Sequence, residues 1–176
     1  MCMCKLLAGT SLVFFGMTMM ALGDESPTLG VPVDPSGIAE IDFVVMPSGD
    51  GLPAGSGNAI TGEGVYAAKC LACHGSKGEG GISDVLVGGH GTMRSDTPVR
   101  TVGSFWPYAT TLFDYIRRAM PYAEPGSLSD DEVYALTAYL LFLNDIVAEE
   151  DIMTAETLPK VRMPNRDNFV WGYVPQ

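Results

Sequence analysis

Apolar positions fall in runs of differing character along the chain. An apolar block from Leu6 to Leu22 comes first. From Asp24 to Asn58 the chain is rich in Pro, Gly and Ser, and "IAEIDFVVM" at Ile38 to Met46 alone interrupts it with strand-like or extended apolar character. "GEGVYAAKCLA" then predicts a helix from Gly62 to Leu71, with Val65, Tyr66, Lys69 and Cys70 at helical intervals. Glycines return from Gly75 to Gly91 and mark that stretch as loop. A second helix is expected around "YATTLFDYIRRAM", where Leu112, Ile116 and Ala119 share a face.

The third helix has the clearest beginning. Ser129 and Glu132 form an S-x-x-E capping box before "VYALTAYLLFLNDIV", and Asp130 and Asp131 suit the positive end of the helix dipole. This body is apolar nearly all round, so it should be buried on more than one side. The tail from Ala148 to Gln176 mixes acids and prolines with Phe169, Trp171 and Tyr173. With no internal repeat and no regular strand pattern beyond the short arm, the expected fold is mainly α, with an extended N-terminal arm and an irregular C-terminal tail.

Length changes the picture little: 176 residues suit one compact domain with extensions. The apolar block at the start changes it more. It follows Lys5, the one charge in the first 23 residues, and falls short of the roughly 20 apolar residues that span a bilayer. Ala21-Leu22-Gly23 then offers small residues for cleavage before Asp24, so residues 1–23 read as a signal peptide for export to the periplasm. The alternative is an uncleaved anchor. Cys2 and Cys4 precede the apolar block, unlike the cysteine of a bacterial lipoprotein, and would leave with the leader. Loss of Lys5 leaves 9 basic against 21 acidic residues, a net charge of −12. Such a field disfavours nucleic acid and anionic lipid and favours basic protein partners.

The chemistry is concentrated in "KCLACHG". Cys70, Cys73 and His74 form C-x-x-C-H, the signature of covalent haem c attachment. Two cysteines on one helical turn can reach the two vinyl groups of one porphyrin edge, and the adjacent histidine then meets the iron. A zinc site of Cys70, Cys73, His74 and His90 would need a strained chelate from adjacent Cys73 and His74. A redox dithiol expects a βαβ setting, and a disulfide across two residues would close almost no loop.

A second axial ligand would come from Met46, Met93, Met120, Met153, Met163 or His90. Met120 fits best, because it ends a helix, precedes Pro121, and sits in the turn before the capped third helix. Thioether ligation raises the potential, and two filled axial positions favour electron transfer over catalysis at iron. Phe105, Trp106, Tyr108 and Phe113 could wall the haem or serve as ordinary core aromatics. Arg100, Arg117 and Arg118 are candidate propionate or partner contacts, or a solvated face.

With these residues in place the chain resembles the class I c-type cytochromes: a helix running into C-x-x-C-H, an "MP" loop, and a last helix opening with "LSDDEVYALTAYL". The family's first and last helices cross at a glycine–aromatic contact, for which Gly62 and Tyr66, with Tyr139 or Tyr134, have the right types. "TVGSFWPYATTLFDYIRRAMPYAEPGSLSDDEVYALTAYLLFLND" and "LPKVRMPNRDNF" further resemble the cytochrome c subunits of sulfite dehydrogenase and of the sulfane dehydrogenase of the Sox thiosulfate-oxidising system. The resemblance implies Cys70 and Cys73 as thioether carriers, His74 as proximal ligand and Met120 as distal ligand of a single haem c. A second haem domain, often present in the Sox subunit, has no counterpart C-x-x-C-H here.

The expected organisation is a leader (1–23), an arm (24–58), a cytochrome domain (59–148), and a tail (149–176) packed on the domain or a partner. The expected role is that of a non-enzymatic electron-transfer subunit with no membrane span in the mature chain. It would take electrons from a molybdopterin dehydrogenase subunit oxidising sulfite or a related sulfur compound, and pass them to another cytochrome or an oxidase. The alternatives are a free-standing soluble carrier and a haem enzyme or ligand sensor with an open axial site.

Overall fold

The computed structural model describes residues 30–39, 42–170 and 172. The expected leader, together with Trp171 and Tyr173, lies outside them. Among the described residues no helix is long and apolar enough to cross a membrane.

Among the described residues the architecture is mainly helical, in the order α1 (Pro35–Ala39), β1 (Ser56–Gly57), α2 (Ala59–Lys69), α3 (Leu71–His74), α4 (Ala109–Ala119), α5 (Asp130–Leu143) and β2 (Met153–Thr154), with one 3₁₀ turn between α3 and α4 and two in the tail after β2. Helix α2 begins three residues before the position its apolar spacing predicts. Asn58 caps it, accepting from Thr61 N, while the Thr61 side chain returns to Asn58. The chain then breaks at Cys70 and restarts as the single turn α3, which carries the second cysteine and the histidine.

Helix α5 begins where the capping box places it, with Ser129 and Glu132 bonded reciprocally. Every residue from Val133 to Leu141 is buried, as its all-round apolar pattern requires. The α2–α5 crossing is closed by glycines: a Cβ on Gly62 would stand 2.0 Å from Ala135 O, and one on Gly57 would stand 2.3 Å from Ala135 N. Tyr66 and Tyr139 meet there with ring centroids 5.2 Å apart. Tyr134 instead packs on Phe113 at 4.5 Å and donates to Pro53 O, so Tyr139 is the aromatic partner at this crossing.

The arm departs from its expected form at Ile38, which lies in the short helix α1. Asp34 accepts from Ser36 N at 2.9 Å, and Pro35 enters the helix with its φ already suitable, so a local turn prevails over the apolar pattern there. Residues 42–46 carry no regular secondary structure. Val45 is buried, its N–H donating to Asp114 Oδ1 at 3.0 Å on α4. The tail packs back on the domain: Leu158 and Met163 join the core, and β2 pairs antiparallel with β1. Burial of each such side chain contributes about 1.5–3 kcal/mol.

A candidate haem c site

The C-x-x-C-H residues are positioned by the break between α2 and α3. Cys70 ends α2, its N–H still donating to Tyr66 O at 2.8 Å; Cys73 N and His74 N both donate back to Cys70 O, so the two thiols and the imidazole share one turn. Tyr66 braces that turn from inside, donating its hydroxyl to Gly75 O at 2.9 Å. Burial, reinforced by the nearby charges of Cys70 and Glu79, pushes this phenol up to about 12, so it remains a donor across the working range of pH.

Both cysteines are free, half-buried thiols. Burial, followed by repulsion from Cys73, pushes Cys70 up to about 11, the opposite of the depressed value that activates a redox dithiol. The His74 ring is oriented by Asp84 O, 2.8 Å from Nδ1. A carbonyl can only accept, so Nδ1 carries the proton and Nε2 keeps a lone pair suited to a metal. Gly75 to Val87 is folded around this turn by backbone bonds, with Gly80 N reaching His74 O and Ser83 N reaching Cys73 O. The donor set fits a haem c: two free thiols three residues apart and an imidazole fixed through its far nitrogen. Among the described residues no three or more His, Cys, Asp or Glu are gathered to hold a metal ion, so His90 does not complete a zinc site with Cys70, Cys73 and His74.

Met120 caps the C-terminus of α4 in extended conformation, half-buried against the core. Its loop is tied to the haem-attachment helix by Lys69 Nζ to Glu124 Oε2 at 3.4 Å. Other methionines are placed differently: Met153 and Met163 are buried in the core, and Met46 is exposed. His90 is exposed on the rim of a cavity of about 570 Å³, which Met93, Arg94, Phe105, Asn165 and Phe169 also line. Cys70, Cys73, His74 and Met120 do not line it.

The aromatic segment is divided by the fold. Phe113 is fully buried against Tyr134 and is a core side chain, while Trp106 is half-buried edge-on to Tyr115, 5.6 Å between centroids. Phe105 meets Phe169, and Tyr108 lies under Arg166. Arg117 pairs with Asp130 at 3.1 Å, Arg118 pairs with Asp114, and Arg100 stands over Phe105. Two buried polar residues escaped the sequence reading. Asp114 holds the arm, and Asn144 clamps the loop after the haem motif, accepting from Gly88 N and donating to Leu86 O and Leu140 O. Their partners are up to 69 residues away in sequence, and no local pattern announces them.

A helix running into C-x-x-C-H, a methionine loop and a glycine-closed crossing of first and last helices define a class I c-type cytochrome, and the chain belongs to that family. More particularly, it shares its fold with a chain of the sulfane dehydrogenase SoxCD from Paracoccus pantotrophus, at 40% identity and TM-score 0.76, over 82% of this chain and 72% of that one. The sequence family described as cytochrome c oxidase, cbb3-type, subunit III matches residues 57–140. A thiosulfate dehydrogenase from Psychrobacter arcticus is 28% identical over 125 residues, which are 71% of this chain and 35% of that protein. The chain thus spans about a third of that curated relative. The family match names a cytochrome oxidase subunit, whereas the other two matches name dehydrogenases of sulfur compounds.

Proposed function

We propose that this chain is an exported, periplasmic monohaem cytochrome c that takes electrons from a molybdopterin dehydrogenase subunit oxidising sulfite or a related sulfur compound and passes them to another cytochrome or an oxidase. The chain supplies no catalytic group of its own to that oxidation. The observation that supports the haem is the His74 ring, fixed through Nδ1 to Asp84 O on the same turn as two free thiols, and the dehydrogenase donor rests on the 40% identity to a chain of SoxCD.

Haem c, when bound, supplies a one-electron Fe(III)/Fe(II) couple. Cys70 and Cys73 would hold it through thioether bonds, and His74 Nε2 and the Met120 thioether would be its iron-binding groups. The Asp84 carbonyl keeps the imidazole oriented and basic, and the Lys69–Glu124 pair holds the methionine loop near the attachment helix. With both residues bound, the site would favour electron transfer over catalysis at iron.

Met120→Ala tests the assignment. The wild-type ferrous protein should bind carbon monoxide poorly and its ferric spectrum should show a methionine–iron charge-transfer band. The variant should bind carbon monoxide readily, lose the band, and fall in potential by roughly 0.1 V or more. Ready carbon monoxide binding by the wild type would move the reading to a ligand sensor or haem enzyme. For the donor, the wild-type protein should co-purify with a molybdenum dehydrogenase. Equal reduction by unrelated donors without such a partner would identify a free carrier.

A further inference from the structure

A second cavity, of about 320 Å³, lies beside the α2–α5 crossing. Glu63 of α2, Lys77 of the loop after the haem motif, Tyr139 and Phe142 of α5, and Asp145 and Glu149 beyond it line the walls. Cys70, Cys73, His74 and Met120 do not. Helix α5 ends above it in a reversed turn, with Ile146 N donating to Leu141 O and Asp145 N donating to Phe142 O. Asp145 takes φ 55° there, a left-handed position where glycine is usual and aspartate or asparagine is tolerated. Glu149 is held against the start of α2, its carbonyl accepting from Ala59 N at 3.2 Å.

The walls carry three carboxylates against one ammonium, and none of the four is ion-paired among the described residues. Their neighbours deepen the negative field. Glu79 accepts from Lys77 N, Glu150 and Asp151 follow Glu149, and the chain has no Lys or Arg between Arg118 and Lys160. The α5 dipole adds its negative end, with no basic residue in the last turn to oppose it.

Tyr139 is 6% exposed, yet among the described residues its hydroxyl has no hydrogen-bond partner. No sealed side-chain oxygen or nitrogen lacks a partner, so this hydroxyl faces the open space of the cavity. Burial, followed by the charge of Glu63, raises the phenol above its ordinary value, which sets that carboxylate near the ring. Among the described residues no three or more His, Cys, Asp or Glu are gathered to hold a metal ion. Dispersed carboxylates with two aromatic walls and a hydroxyl acceptor suit an organic cation instead.

We infer that this cavity binds a guanidinium or alkylammonium head on an apolar stem. The Tyr139 hydroxyl accepts one N–H of the head, Glu63, Asp145 and Glu149 balance its charge, and Phe142 packs on the stem. Lys77, on the facing loop, repels the head and weakens its binding. A lysine or arginine side chain of another protein and a free amine share this chemistry. The site goes beyond the function proposed above and does not depend on it.

The test titrates n-butylguanidinium into the haem-loaded ferrous full chain and follows amide chemical shifts, with neutral n-butylurea as the control. Butylguanidinium should give saturable shifts centred on Glu63, Lys77 and the stretch from Tyr139 to Glu149, and its binding should weaken as salt rises. Butylurea should give none. Tyr139→Phe should weaken binding about fivefold or more. Asp145→Asn, which keeps the left-handed turn, and Glu149→Gln should weaken it about threefold each, with thermal midpoints at or above wild type because like charges are removed. Lys77→Gln should tighten binding about twofold, a gain that loss of structure does not give. Glu156→Gln removes an exposed acid outside the cavity and should leave binding unchanged. A blocked Gly-Arg-Gly peptide that binds tighter than spermidine would assign the occupant to a protein side chain, and the reverse order would assign it to a free amine. Equal binding of butylurea, shifts spread evenly over the acidic surface, or unchanged affinity in both Tyr139→Phe and Asp145→Asn would overturn the site. None of these results bears on the haem or on the dehydrogenase.

Discussion

The α2–α5 crossing and the loops around Cys73 and Met120 are built on opposite terms. At the crossing, backbones approach until Gly62 and Gly57 leave no room for a Cβ, and α5 is buried along nine consecutive residues. Around the haem motif, half-exposed loops are held by backbone bonds, one ion pair and a few side-chain clamps. The first region carries none of the candidate ligands and joins the first long helix to the last. The second carries Cys70, Cys73, His74 and Met120, the residues proposed to hold the haem. Rigidity and function thus sit in adjoining, separately stabilised parts, and a change in one should be readable apart from the other.

The largest expected effect breaks the crossing. Gly62→Val would drive a branched side chain into Ala135 O, and overpacking of this kind costs about 3 kcal/mol or more. Circular dichroism melts of the haem-loaded variant should show a strongly lowered transition or no folded protein. A near-wild-type melt would mean that the crossing is looser than its glycines indicate.

Asn144→Ala reaches the other region through the end of α5. It strips partners from Gly88 N, Leu86 O and Leu140 O, a loss of about 2–3 kcal/mol for buried groups left unpaired. Denaturant titration should register that loss. Hydrogen exchange should open first at residues 86–88 and not along α5; uniform opening would merge the two regions into one cooperative unit.

The smallest effect is confined to the loop. Glu79 accepts from Ser76 N, Lys77 N and the Ser76 hydroxyl, and backbone hydrogen bonds hold its carboxyl down to about 2. A carboxylate depressed in the folded state adds stability above its ordinary value near 4.5, and that stability is lost as pH falls through about 2. Amide exchange at Ser76 and Lys77 should therefore quicken as pH drops from about 4.5 to 2, after allowance for intrinsic exchange rates. In Glu79→Gln this acid step should disappear.

What the sequence reveals follows the range of the interactions. Helix α5 is legible at its start, because Ser129 and Glu132 lie three residues apart, whereas the apolar run suggests a body reaching Val147, four residues past the observed end at Leu143. The haem motif is legible for the same reason: its donors are packed into five residues. The start of α2 is missed because its cap pairs Asn58 with a threonine, a weaker signal than Ser with Glu. The helix at Ile38 is missed because Asp34 and Pro35 set the turn while the apolar residues suggest extension. Asp114 and Asn144 join segments 69 and 56 residues apart, so only the folded chain reveals them. Tyr134 and Tyr139 are equivalent by type, and which one meets Gly62 depends on the helix crossing itself.

The two-residue ladder between β1 and β2 has a topological consequence. Ser56 faces Thr154, Gly57 faces Met153, and Ala59 N donates to Glu149 O at 3.2 Å, so the strand entering the helices and the strand leaving them lie side by side. Neighbouring strands are about 4.8 Å apart, so the ladder clasps both ends of the helical unit, while Val45 of the arm and Leu158 and Met163 of the tail pack into the same core from beyond it.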